Sequence, residues 1–251
     1  MQYGIGHLSV IPIRATSDPS SEMISQVLYG DHFKIKEERK YFSRIHLVFD
    51  DFEGWIQNNQ ITKISEEQFQ EINARTKPIH NTDFLLYAST QNNELLPIVI
   101  GSRMDIAPIL GHHIETMPEM PLGQKSNLVD TALLYLNTPY LTGGKTPFGI
   151  DSSGFTQMVY KINGNKLLRR TEEQSSQGEA LSFIEESEPG DLAFFDNSEG
   201  IIDHVGIILK DNYIIHAAGH VRIDRLDHTG IFNTQKRMYT HSLRVIKKVV
   251  P

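Results

Sequence analysis

Up to about residue 64 the chain never sustains a helical repeat. Short apolar runs are cut by turn chemistry every few residues: Leu8–Arg14, then Thr16-Ser17-Asp18-Pro19-Ser20-Ser21, then Ile24–Leu28, Tyr29-Gly30-Asp31, Phe33–Ile35, Ile45–Phe49 and Gly54-Trp55-Ile56. Runs this short suit strands and are too brief for stable helices, so residues 1–64 predict a small β-barrel or sandwich. The rest of the chain then has to be read as separate modules rather than as a continuation of one helical or α/β pattern.

Residues 65–78 open with Ser65-Glu66-Glu67-Gln68-Phe69-Gln70, a serine cap ahead of a helical linker. A poorer β pattern follows in Leu85-Leu86-Tyr87, Leu96–Ile100 and Met104–Leu110, so residues 65–124 predict the linker helix and a second, degenerate barrel. His112–Gln124, with prolines at 118 and 121, predicts a connector. Beyond it Leu128, Val129, Ala132, Leu133 and Leu136 recur at helical spacing behind Ser126, and Pro139 stops the run. A second helix is marked by Phe155, Met158, Val159 and Ile162. Strand-like runs come last: Asp191–Phe195, His204–Leu209, Tyr213–Ala217, Val221–Ile223 and Leu243–Ile246. Helices first and strands afterwards make residues 125–251 an α+β domain.

Composition limits what these modules do. With 251 residues, 39% hydrophobic and 22% charged, the chain is neither disordered nor fibrous. Its 24 basic against 31 acidic side chains give a formal charge of −7, the wrong sign for a general nucleic-acid binder. No stretch approaches the roughly 18 apolar residues of a membrane helix. Met1-Gln2-Tyr3-Gly4-Ile5-Gly6 lacks the basic start and apolar core of a signal peptide. Neither nucleic acid nor membrane is an expected partner. As written the chain is expected in the cytoplasm, or in the periplasm or medium if a signal has been removed. It contains no cysteine, which excludes disulfides, Cys-ligated metal and, on its face, a cysteine nucleophile.

Two segments carry candidate chemistry. The loop Pro139-Tyr140-Leu141-Thr142-Gly143-Gly144 leads to Asp151-Ser152-Ser153-Gly154-Phe155, where Ser152 or Ser153 falls at a helix N-terminus. There the free amides and the macrodipole favour an anion, and neighbouring N–H groups are placed to receive an oxyanion. The plainer alternative is an ordinary Asp/Ser helix cap. The second segment is Asp203-His204-Val205-Gly206-Ile207-Ile208-Leu209 followed by Ile214-Ile215-His216-Ala217. Its two histidines sit on successive strands that turn at Lys210-Asp211-Asn212; they meet if both face the same way, one as base and one as its orienter. A zinc site would need more ligands than this pair, and no HExxH or suitably spaced third ligand stands out, so no metal is expected. No Gly-x-Ser-x-Gly elbow supports a conventional serine hydrolase.

In their order, the Pro-Tyr…Gly-Gly loop at 139–144, Asp151-x-Ser153-Gly154-Phe155, Gly190-Asp191-Leu192-Ala193-Phe194-Phe195, Asp203-His204-Val205-Gly206-Ile207 and Ile215-His216-Ala217 resemble the NlpC-type peptidases, papain-like enzymes that cut peptidoglycan stem peptides. Gly30 and Phe52-Glu53-Gly54-Trp55 similarly resemble the bacterial SH3-like barrels that precede such domains. The resemblance implies a papain-like fold behind one or two SH3-like barrels, with Ser152 in the nucleophile position, His204 as base and His216 as its orienter. The family has Asp-Cys-Ser-Gly where this chain has Asp151-Ser152-Ser153-Gly154. A thiol with a pKa of about 8.5 is readily drawn to the thiolate, whereas an alcohol must lose its proton during attack. Little or no turnover is therefore expected of this chain. An engineered Cys→Ser change is the favoured explanation, with a natural pseudo-peptidase that binds wall peptides or a protein as the alternative.

Family members with SH3-like barrels and no signal peptide resemble murein-peptide recycling enzymes, γ-D-glutamyl-L-diamino acid endopeptidases. These cut the bond from γ-D-Glu to Lys or diaminopimelate in peptides with a free N-terminal L-Ala. A free ammonium calls for carboxylate partners. The resemblance points to Asp151 with Ser153, to Glu22 of the barrel, to Phe52 where relatives have a tyrosine against the ligand, and to Tyr140 near the nucleophile. No cofactor is implied. The segment Leu168-Arg169-Arg170-Thr171 onward matches the family's substrate-loop region in a loose register.

Overall fold

A computed structural model describes residues 1–116 and 125–250, which fall into two units: 1–116 with 142–146, and 125–141 with 147–250. In the first unit the short runs become seven strands. They are β1 (Gln2–Ile5), β2 (Val10–Arg14), β3 (Met23–Leu28), β4 (His32–Glu38), β5 (Phe42–Leu47), β6 (Glu53–Gln57) and β7 (Thr62–Ile64). All pairs are antiparallel, in the order β3-β2-β6-β5-β4-β1-β7. Along β2 the two-residue period buries Ile11 and Ile13 and leaves their neighbours half exposed. Val27, Phe33, Ile45, Leu47, Phe52 and Ile56 complete that SH3-like core. The Tyr29-Gly30-Asp31 turn needs its glycine, because φ is +83° there and a Cβ would meet Cβ of Arg103 at 2.8 Å.

Ser65 caps α1 (Glu66–Ala74) as its position predicts: its Oγ accepts from the Gln68 amide at 3.2 Å, and Oε1 of Gln68 accepts from the Ser65 amide at 3.0 Å. The helix ends at Ala74, short of the predicted 78, and Arg75 turns away to pair with Asp105. Where a second β module is expected, the described residues hold a two-stranded hairpin, β8 (Leu85–Ser89) with β9 (Leu95–Val99). Its Ala88 and Ile98 share one buried cluster with Ile5, Tyr29 and Ile72, a second core between the hairpin, α1 and the barrel's β1. The expected connector lies outside the described residues from 117 to 124.

The short strand β10 (Lys145–Thr146) belongs to the first unit and β11 (Gly149–Ile150) to the second. The second unit has three helices, α2 (Ser126–Leu133), α3 (Ser152–Ile162) and α4 (Thr171–Ser175). Its strands are β12 (Glu179–Leu181), β13 (Leu192–Asp196), β14 (Ile202–Leu209), β15 (Tyr213–Ala218), β16 (His220–Leu226), β17 (Gly230–Asn233) and β18 (Met238–Lys248). The predicted α2 stops early: Tyr135, Leu136 and Thr138 donate in tight three-residue turns, and Asn137 enters the left-handed region at φ +68°. The strand order is β12-β18-β13-β14-β15-β16-β17, and β17 also pairs with β18. Six antiparallel strands therefore close into a ring around Ala193, Phe195, Ile208, Ile214, Leu226, Ile231 and Ile246. Helix α3 is buried along its whole length and packs against α2, β14 and β15, an α+β arrangement. No helix among the described residues is long and apolar enough to cross a membrane.

Because fully buried Ile72 ties α1 and the hairpin to the barrel, Ile72→Ala is expected to destabilise the first unit by about 2–5 kcal/mol in urea titration, with no change in the strand content seen by circular dichroism before the transition.

Candidate active site

Asp151 is the N-cap of α3, and its Oδ1 accepts from the Gly154 amide at 2.6 Å. Ser152 is therefore the first helical residue, 5% exposed, in the turn whose amides have no partners within the helix. The cap is itself held. Arg169, 3% exposed, grips Asp151 with two bonds, NH1 to Oδ1 at 3.0 Å and NH2 to Oδ2 at 2.7 Å, and NH1 also donates to Ser153 Oγ at 2.9 Å. Ser153 Oγ in turn donates to Asp151 Oδ1 at 3.3 Å. Buried Gln174 of α4 accepts from Thr156 Oγ1 at 2.7 Å and donates to the Ser153 carbonyl at 2.9 Å. The loop of loose register is thus the brace of the α3 N-terminus, and Arg169 is the member that pattern reading left without a role.

His204 and His216 do face the same way. Gly206 lies opposite His216 in the β14–β15 ladder, and His204, two residues earlier, shares that face. A Cβ on Gly206 would stand 2.9 Å from Cβ of His216, so the glycine makes room for the second imidazole. Nε2 of His204 lies 2.8 Å from Nδ1 of His216, and Nε2 of His216 lies 3.1 Å from Oδ2 of Asp224 on β16. Arg222 sets its guanidinium against the same carboxylate, Nε to Oδ2 at 2.7 Å and NH2 to Oδ1 at 3.0 Å. Helix α3, which starts at Ser152, packs against the strand that carries His204.

Burial pushes the His204 imidazolium well below its ordinary range, and the neighbouring His216 and His241 add to that. Burial also lowers His216, against the pull of Asp224. His241 falls to about 4, mainly by burial. Burial raises the carboxyl of Asp224, but the hydrogen bonds and charges of His216 and Arg222 outweigh it and hold the group below its usual value. At neutral pH the site holds neutral imidazoles and an ionised Asp224.

His241 of β18 has no signal in the local sequence, and it brings imidazole nitrogens of three histidines within 4.8 Å of one another. Its ring stacks on His204 with centroids 4.1 Å apart and planes 24° apart, so their in-plane lone pairs run side by side rather than converge. His216 Nδ1 is engaged with His204, and His241 Nδ1 lies 2.9 Å from Thr240 Oγ1. As placed, the trio is a stacked, hydrogen-bonded cluster and lacks the geometry of a chelate.

The remaining expected ligand contacts divide. Tyr140, 45% exposed, donates its amide to the Gly219 carbonyl at 2.9 Å in the second unit. Glu22 is exposed just ahead of β3 in the first unit. Phe52, expected against a ligand, is 6% exposed and belongs to the barrel core cluster, next to Asp51, which takes a left-handed φ of +58°. Trp55 remains half exposed with the Arg39 guanidinium 4.4 Å above its ring.

A buried helix that opens at Ser152 and a histidine pair on an antiparallel sheet are the elements expected of a papain-like domain. Residues 137–242 match the NlpC/P60 family, and residues 13–61 match the bacterial dipeptidyl-peptidase Sh3 domain. The chain thus carries an NlpC/P60 domain behind a bacterial dipeptidyl-peptidase SH3 domain. It is similar to a gamma-D-glutamyl-L-lysine dipeptidyl-peptidase of Bacillus subtilis (strain 168), 25% identical over 77% of this chain and 71% of that protein. It is also similar to dipeptidyl-peptidase 6 of Lysinibacillus sphaericus, 28% identical over 85% of this chain and 88% of that protein. In fold it resembles the crystal structure of an NlpC/P60 family protein from Bacillus cereus ATCC 10987, with a TM-score of 0.77 over 99% of this chain and 100% of that one, at 17% identity.

Two outcomes follow from the electrostatics. Asp151→Asn leaves a buried guanidinium without its counter-charge and is expected to cost about 3–5 kcal/mol by chemical denaturation. The lowered histidines bind protons more weakly folded than unfolded, where the ordinary value is about 6.5. Acidification from pH 7 to pH 5 therefore favours the unfolded chain, by up to about 1.4 kcal/mol per pH unit for each fully buried imidazole. The melting temperature is expected to fall through that window and to fall less for His204→Gln. Depressed Asp224 adds its own loss only at lower pH, below about 4.

Proposed function

We propose that this chain is built to cleave the γ-D-glutamyl to diamino acid bond of murein stem peptides that carry a free N-terminal L-Ala, with residue 152 as the nucleophile. The observation that carries the reading is the His204–His216 pair, buried, neutral and aligned on adjacent strands in a domain of this family. In the reaction the residue 152 nucleophile attacks the γ-carbonyl carbon, and His204 takes its proton. The tetrahedral oxyanion collapses, the C–N bond breaks, and His204 returns the proton to the leaving amine. Water then hydrolyses the acyl-enzyme with His204 again as base.

Serine at 152 withholds the step that a thiol makes easy. A neutral imidazole of depressed basicity is a weak base for an alcohol, whereas a thiol gives up its proton far more readily. Ser152 in place of a cysteine therefore makes this chain nearly inactive. Exposed Glu22 remains the candidate carboxylate for the substrate ammonium. The charge of Asp151 is already met by Arg169, so its part is to hold the helix cap and Ser153 in place. Phe52 packs its ring in the barrel core at 6% exposure.

Ser152→Cys is expected to raise turnover of L-Ala-γ-D-Glu-L-Lys and its diaminopimelate counterpart by roughly 10²–10⁴-fold over the serine chain, read by release of L-Ala-γ-D-Glu. A restored thiol that cleaves neither peptide, yet leaves the chain binding them, would replace the peptidase reading with that of a wall-peptide binder.

A further inference from the structure

Two neutral imidazoles joined by one hydrogen bond have two arrangements of equal bond count. In one, His204 donates from Nε2 to a bare Nδ1 of His216, and the lone pair of His204 stands at Nδ1. In the other, His216 donates from Nδ1, and Nδ1 of His204 carries a proton and cannot take another. Nothing within the pair chooses between them.

Asp224 does. An ionised carboxylate only accepts, so Nε2 of His216, 3.1 Å from Oδ2, must carry hydrogen. A neutral His216 then has a bare Nδ1. That atom lies 2.8 Å from Nε2 of His204, which must donate to it. The lone pair of His204 is left on Nδ1, the one ring atom still able to act as a base. The order is set by position: His216 faces Arg222 across the β15–β16 ladder, and Asp224 is the diagonal neighbour opposite Ile214 on the same face. Arg222 contacts both carboxylate oxygens, which favours the ionised, accept-only form of Asp224. The His204, His216 and Asp224 side chains are all buried, so bulk water does not supply a competing donor.

We propose that Asp224 is a positioning residue of the peptidase site, fixing the tautomers of His216 and His204 in series so that Nδ1 of His204 is the base. The proposal rests on the reading of His204 as base given above. Asp224 touches neither substrate nor nucleophile in this scheme and acts wholly through the two rings.

Asp224→Asn keeps the shape and reverses the logic. Arg222 claims the amide oxygen, the –NH₂ turns to His216 Nε2, and the proton order runs backward to put hydrogen on Nδ1 of His204. The test has two arms on the full-length chain. In the first, ¹⁵N-histidine spectra at pH 7.5, assigned through single His→Gln variants, read the tautomers directly. Both rings are expected as Nε2–H with Nδ1 bare in the unaltered protein, and as Nδ1–H in Asp224→Asn. In the second, Asp224→Asn in the Ser152→Cys background is expected to lower kcat by roughly 10²–10⁴-fold with KM nearly unchanged. Finding His216 protonated on Nδ1 in the unaltered chain overturns the proposal, and that measurement needs no variant to fold. Unchanged tautomers or unchanged kcat in Asp224→Asn overturn it too. If Ser152→Cys proves inactive, the reading of function fails, and the tautomer arm alone decides the relay.

Discussion

The carboxylate of Asp151 meets two demands at once. It satisfies an amide at the start of α3, where four N–H groups lack helical partners, and it is the counter-charge that lets Arg169 be buried. Through Arg169 and Ser153 the loop before α4 is fastened to the helix start, and Gln174 fastens it a second time. The placement of residue 152 is a consequence of that bonding. A nucleophile needs a fixed starting geometry within a fraction of an ångström, and a helix end frayed by loss of its cap would not provide one.

The second fixed element is the face of the sheet that carries His204, His216 and Asp224. It is organised by ladder registers rather than by loops, which makes it stiff. Gly206 is part of that organisation, since any larger residue would crowd His216 out of reach of His204. The site therefore joins two rigid pieces, a helix terminus braced by a buried ion pair and a strand triplet braced by hydrogen bonds. Desolvation keeps the imidazoles unprotonated, which is the state a base must start from.

What was legible in the sequence was local. The Ser65 cap, the Asp/Ser helix start at 151–153, the strand runs of the second half and the two histidines on successive strands all follow from periodicity and turn chemistry within a dozen residues. What was not legible depends on pairings across longer separations. His241 reaches His204 because β18 runs from Met238, earlier than the Leu243–Ile246 run read from sequence, and pairs with β13, which in turn pairs with β14. Asp224 reads as an ordinary charged residue on an amphipathic strand until its ladder with β15 is known. Arg169 lies in a polar stretch whose only local signal is charge, and its burial is decided by the Asp151 carboxylate eighteen positions away. Phe52 packs in the barrel core next to Asp51, whose left-handed φ of +58° local pattern does not reveal.

The polar network also bears on what the domain is for. A buried ion pair seldom adds net stability, and apolar residues of similar volume often do as well or better. Here the interior holds Asp151 with Arg169, His204 with His216, and Asp224, each losing hydration that the fold alone has no use for. The adjoining core shows that the same sheet packs well with Ala193, Phe195, Ile208 and Ile214. Stability alone therefore does not account for the polar groups, whereas the proposed role of the His204–His216–Asp224 series does. A chain with no thiol nonetheless keeps a buried, hydrogen-bonded pair of neutral imidazoles. On the proposed reading, that contrast places the difference from a cysteine peptidase at residue 152.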